Sequence, residues 1–237
     1  MKDKRLFVNP IRMLSPKLDS EVLKIEELHQ KPVSESYTLE EGLLIMLSKL
    51  IKVTGLLKDS FRTDSPAGFS ECQSLLLEVH QHEKLLTANL ACAVSVPQEV
   101  CKKLVLFPTH LERVGDFLES ILNCCRIKIR DAVPFTERTI YEITSILEGL
   151  ADVMVAFRST LMDPDVLGLD KVINVAERLD QTCQNLQLDL VNSLLDGTTA
   201  TRVTSLYLDL TESTQSAVRH VREMGARLRE LFAEQHS

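Results

Sequence analysis

The chain has 237 residues, of which 44 % are hydrophobic and 5 % aromatic with no tryptophan, and its net charge is −7. A chain of this length buries a substantial core, in one large domain or in two of about 100 residues each. The acidic balance and the lack of a Lys/Arg cluster exclude a nucleic-acid partner, because phosphate neutralisation needs a basic stripe. Scarce aromatics and only eight Gly and eight Pro disfavour many short strands and favour helices.

The basic start Met1-Lys2-Asp3-Lys4-Arg5 runs into Asn9-Pro10 without an apolar stretch, so no signal peptide is expected. No uncharged run of membrane-spanning length follows; the longest candidate, from Leu85 to Gln98, ends in a Pro-containing connection. The six cysteines (Cys72, Cys92, Cys101, Cys124, Cys125, Cys183) form no Cys-x-x-Cys pair and have no His at zinc spacing. They are expected as reduced thiols on buried helix faces of a cytoplasmic protein.

Residues 1–36 stand apart, interrupted by Pro10, Pro16 and Pro32, with one short amphipathic piece from about Leu18 to Gln30. A first long helix is predicted from Thr38 to Arg62, with Leu43, Leu47, Leu50 and Leu57 as its apolar stripe and Thr63-Asp64-Ser65-Pro66 as its breaker. The second covers Phe69 to Val94. The third runs from Pro97 to Asp131, with Pro108 either bending it or breaking it at Phe107. Pro134 opens a second set. A fourth helix spans Thr136 to Leu161, with Ile140, Ile143, Leu147, Leu150 and Met154 at core spacing, and a fifth spans Val166 to Leu195. Asp196-Gly197 is a stop, and Thr198 or Thr199 would cap a sixth helix reaching Phe232.

Leu111-Glu112-Arg113-Val114-Gly115-Asp116 on the third helix is the most informative stretch. Glu112 and Asp116 lie four apart and so share a helix face, with Glu119 one further turn along. Unpaired acids at this spacing repel, and a cation between them would turn the repulsion into binding. Gly115 gives up about 1 kcal/mol of helix propensity. A close backbone or bulky ligand would account for that loss. The alternative is a solvated acidic face.

Two sets of three helices suggest an internal repeat. Glu40-Glu41 matches Glu137-Arg138 at an offset of 97, His82-Glu83-Lys84-Leu85-Leu86 matches Ala176-Glu177-Arg178-Leu179-Asp180 at 94, and Leu111–Asp116 matches Thr211–Ser216 at 100. The expected fold is all-α, two tandem three-helix bundles with antiparallel neighbours, over 37–133 and 134–237 after an N-terminal extension of 1–36.

Leu-Glu-Arg-Val-Gly-Asp on the third helix of a doubled three-helix unit resembles the PhoU family of phosphate-regulon regulators, whose signature is Leu-Glu-Arg-Ile-Gly-Asp or Leu-Glu-Arg-Ile-Ala-Asp. The resemblance covers residues 37–235. It implies iron or zinc held on carboxylates and a role in coupling a phosphate transporter to gene control through protein contacts, without substrate turnover. The implied partners are a phosphate transporter or a sensor kinase, with the membrane reached through the partner; an exposed apolar stripe would also allow a homodimer. Carried over by position, the metal-ligating residues implied are Glu83, Glu112 and Asp116 in the first half, with Glu119 beside them, and Glu177, Asp180 and Glu212 in the second. Ser216 stands where the second-half Asp would be and Leu86 where an acid of the first half would be, so neither half carries the full pattern.

The other motifs are weaker. His80 and His82 lie two apart and point to different faces. His110 adjoins the signature and is expected exposed or at the edge of a cluster. His220 follows Glu212 and Ser216 at one-turn steps, giving a Glu-Ser-His face. An enzyme reading finds only Glu26-Glu27-Leu28-His29 where a di-iron bundle needs a Glu-x-x-His pair on each of two helices, and no phosphate loop or nucleophile elbow is present. PhoU-like units also resemble cytoplasmic tails of sodium–phosphate cotransporters. On that reading Phe7-Val8-Asn9-Pro10 begins a tether and binding without metal is the whole function.

Overall fold

The computed structural model describes residues 39–92, 104–163, 165–195 and 201–235. The amphipathic piece at 18–30, the Glu26–His29 motif and the proposed tether lie outside the described residues. Among the described residues the regular structure is helical: α1 (Leu39–Thr63), α2 (Phe69–Cys92), α3 (Leu106–Arg130), α4 (Glu137–Met162), α5 (Val166–Leu195) and α6 (Thr201–Gln235). None of them is long and apolar enough to cross a membrane.

Local chemistry explains most of the boundaries. Asp64, in the predicted breaker, takes a left-handed φ of 53° and ends α1. The Thr136 side chain accepts the Thr139 amide at 3.2 Å and caps α4. Of the two forms expected at Pro108, a bend or a break at Phe107, the third helix takes the break. Residues 93–103 lie outside the described residues, and α3 begins at Leu106 with Pro108 in its first turn. A proline there forfeits only an amide that would have no intrahelical partner, so no kink is needed.

Each helix contributes one apolar face to a common core. Leu43, Met46, Leu47, Leu50, Val53 and Leu57 of α1 are buried, as are Ile143, Ile146, Leu147, Leu150 and Val153 of α4. Within the first trio α1, α2 and α3 pack on one another, and α4, α5 and α6 do the same in the second. The trios join through α1 on α4 and α3 on α6. Both junctions are antiparallel: Ser48 meets Arg158 while Lys58 meets Glu148, and His110 meets His220 while Cys124 and Asp209 border one cleft. Exchanging α1 with α4, α2 with α5 and α3 with α6 leaves this packing scheme unchanged, which is the signature of a pseudo-twofold.

The helix bounds keep the spacing of the repeat read from the sequence: α1 and α4 start at Leu39 and Glu137 and end at Thr63 and Met162, and α2 and α5 start at Phe69 and Val166, offsets of 98, 99 and 97. Within each trio glycines sit where helices cross. A methyl built on Gly42 meets Leu86, and one built on Gly149 meets Leu179. Gly115 faces Leu76 and Val79 of α2, and Gly225 faces Val172 and Ile173 of α5.

Candidate functional site

In the first half, Glu112, Asp116 and Glu119 border a cleft of about 320 Å³ floored by Leu76, Val79 and Gly115, with His80 of α2 opposite. The Glu112 carboxylate lies 2.8 Å from His80 Nδ1. Asp116 accepts from Arg113 at 3.0 Å, one turn back. Glu119 is exposed. Glu83 sits on the next turn of α2, where it accepts from Thr87 at 3.0 Å and from Thr109 of α3 at 3.3 Å. His82 turns instead to α1, its Nε2 3.1 Å from Lys49 Nζ, so the two histidines do face different helices. Burial and the Lys49 charge together hold the His82 imidazole below its usual range.

Gly115 is not explained by a close approach. A methyl there would meet Leu50, Leu76 and Val79 at 3.7 Å, ordinary van der Waals contact. Neither a backbone nor a crowded side chain among the described residues requires glycine.

The second-half candidates do not converge. Asp180 is buried and accepts from Arg219 Nε at 2.7 Å, with Arg222 at 3.9 Å. Glu177 is exposed on α5. Glu212 borders a different cleft, about 470 Å³ between α3 and α6, with Asp209, Ser216, Phe117 and Cys124. Asp180 is taken up by guanidinium groups, and Glu177 and Glu212 lie apart from it, so the second half does not fit iron or zinc. The first half gathers three carboxylates and an imidazole around one cleft, but Glu112 is taken by His80 and Asp116 by Arg113, and no three of these donors converge on one point.

A cluster that the acidic pattern does not reveal lies where the trios meet. His110 Nδ1 is 2.9 Å from His220 Nδ1. The Phe117 ring stacks on His220 with centroids 5.7 Å apart. Glu223 places Oε1 3.9 Å from His110 Nε2 and accepts from Arg227 at 2.6 Å. Burial holds both imidazoles below their usual range, and Glu223 opposes the effect without overcoming it. The bond from Arg227 keeps the Glu223 carboxyl below the ordinary carboxylate range. Glu212, Ser216 and His220 do share the α3-facing side of α6, yet His220 finds its partners in His110 and Glu223. The sequence did hold a signal: His110-Leu111-Glu112-Arg113-Val114-Gly115 and His220-Val221-Arg222-Glu223-Met224-Gly225 repeat His, apolar, two charged, apolar, Gly.

No protein-family model matches the chain, and no curated protein sequence matches it. Among solved structures, the chain is similar in fold to the phosphate transport system regulatory protein PhoU from Streptococcus pneumoniae, with a TM-score of 0.71, covering 84 % of this chain and 94 % of that one at 12 % identity. The fold is therefore PhoU-like: an all-helical doubled trio.

Proposed function

We propose that the protein is a PhoU-like regulator of phosphate transport and phosphate signalling that acts through contacts with a phosphate transporter or sensor kinase. One observation carries this reading: the helical scaffold matches nearly the whole length of a phosphate-transport regulator. The Leu111–Asp116 hexapeptide, which resembles the PhoU signature, adds to it and borders an open cleft on that scaffold. The role is regulation by binding, with no substrate turned over. Deleting the gene should change phosphate uptake or phosphate-starvation expression; a deletion strain indifferent to phosphate supply would sink the proposal.

A second reading is favoured by one specific observation. Ser216 stands where the first half has Asp116, and Asp180 is held by Arg219, so the doubled metal face that the resemblance implies is not kept in the second half. That reduction suits a module that binds a sodium–phosphate cotransporter without using metal. The two readings part on metal content. Iron or zinc in purified protein that is lost in Asp116→Ala supports the metal-bearing regulator. Retention of a cotransporter by the metal-free protein supports the second.

A further inference from the structure

We infer that His110, His220 and Glu223 form a divalent-metal site between α3 and α6, with Zn²⁺ as the ion its donors suit. Each of the three side chains offers one ligating atom, and these atoms all lie within 4.8 Å of one another. Two imidazoles and one carboxylate are borderline donors of the kind that hold Zn²⁺ with a fourth position left to water. The site is distinct from the acidic cleft between α2 and α3, because it joins the two halves of the molecule.

The geometry needs one side-chain turn: His220 faces Nδ1 of His110 while Glu223 Oε1 lies 3.9 Å from Nε2 of the same ring, so the Glu223 carboxylate or the His110 ring must rotate to bring the three donors onto one ion. Zn–N bonds of about 2.0–2.1 Å at a tetrahedral angle put two ligating nitrogens about 3.3 Å apart. The His110 and His220 Nδ1 atoms are already at 2.9 Å. His220 and Glu223 are three apart on α6 and so project from one face, and His110 approaches from α3. The Glu223 side chain is 47 % exposed, which leaves the ion an entry route and an open coordination position. Phe117 walls the other side, and Arg227 orients the carboxylate as an outer-shell partner.

The position between the trios gives the site its consequence. His110 lies on α3 and His220 and Glu223 lie on α6. An ion held there ties α3 to α6, one of the two junctions between the trios. Binding to the folded state alone stabilises it in proportion to the logarithm of metal concentration.

The test uses the full chain, stripped with a chelator and titrated with Zn²⁺ by calorimetry and with Co²⁺ by visible absorption. One equivalent of Zn²⁺, a tetrahedral Co²⁺ band and a raised melting temperature are expected. His110→Gln and His220→Gln should each weaken binding by more than about tenfold, the range seen when a metal's supporting residues are removed. Glu223→Gln, at a partly exposed position, should do the same with circular dichroism unchanged, which covers the case where a histidine variant fails to fold. Glu230→Gln, an exposed charge on the same helix, should leave binding as it was. Absence of Zn²⁺ binding, or undiminished binding in the three ligand variants, overturns the inference. So does a Zn²⁺ equivalent that the ligand variants retain and Glu112→Gln loses, since the ion would then sit on the acidic cleft.

Discussion

Lys128 offers the sharpest test of how the first trio is held together. It lies near the end of α3, is 3 % exposed, and donates to the Phe61 carbonyl at 3.0 Å. Phe61 is in the last turn of α1, so its carbonyl has no partner within the helix, and the ammonium also meets the negative end of the helix dipole. Lys128 pairs with Asp64 and lies 4.8 Å from the centroid of the Phe61 ring. Lys128→Met keeps the apolar stem and removes the charge. The lost charged hydrogen bond is worth about 1.5–3 kcal/mol and the cation–π contact about 1–2. Relief from burying an ammonium offsets part of this, for a net loss of about 2 kcal/mol. Asp64 adds little to the cost because its side chain is 61 % exposed and returns to water. Lys128→Ala also leaves a cavity, so about 3–4 kcal/mol is expected there. In a domain of this size Lys128→Met should lower the melting temperature by about 4–8 °C. Urea unfolding followed by circular dichroism measures the difference as a shift in midpoint at constant slope. A Lys128→Met protein as stable as the parent, or more so, would refute the reasoning, since the buried ammonium would then contribute nothing net.

Two glycines at helix crossings should respond in opposite directions. Gly115→Ala adds a methyl at ordinary contact distance and recovers helix propensity, so it should stabilise by up to about 1 kcal/mol; marked destabilisation would show the cleft to be tighter than described. Gly42→Ala drives a methyl into the buried Leu86 side chain and should destabilise by about 1–3 kcal/mol, read in the same unfolding assay; a neutral result would mean that Leu86 moves aside freely. Burial pushes the thiols of Cys124, Cys125 and Cys183 up to about 12 and that of Cys72 up to about 11. At mildly alkaline pH fewer than about one in a thousand of each is thiolate, so none should alkylate in the folded protein. Mass-spectrometric mapping after iodoacetamide checks this, and rapid labelling of any of the four with the helices intact would contradict it.

Helix identity and the doubled trio were legible in the sequence because both are local or statistical properties. Leu43, Leu47, Leu50 and Leu57 repeat at helical spacing, the predicted bounds of α5 are those observed, and Thr136 caps α4 where Pro134 marked a new start. Cys72, Cys124, Cys125 and Cys183 are buried and free, as an apolar helix-face pattern implies. The acids of the first signature also share one cleft, because residues four apart on a helix share a face in any fold.

Tertiary structure decided the rest. Which turn of α3 meets which turn of α6 depends on side-chain packing where the helices cross. Packing of α5 on α6 gives Asp180 to two arginines. Packing of α3 on α6 brings His110 to His220, a meeting that the six-residue pattern they share does not by itself specify. Periodicity reports which face of a helix turns inward. Only packing decides what that face meets.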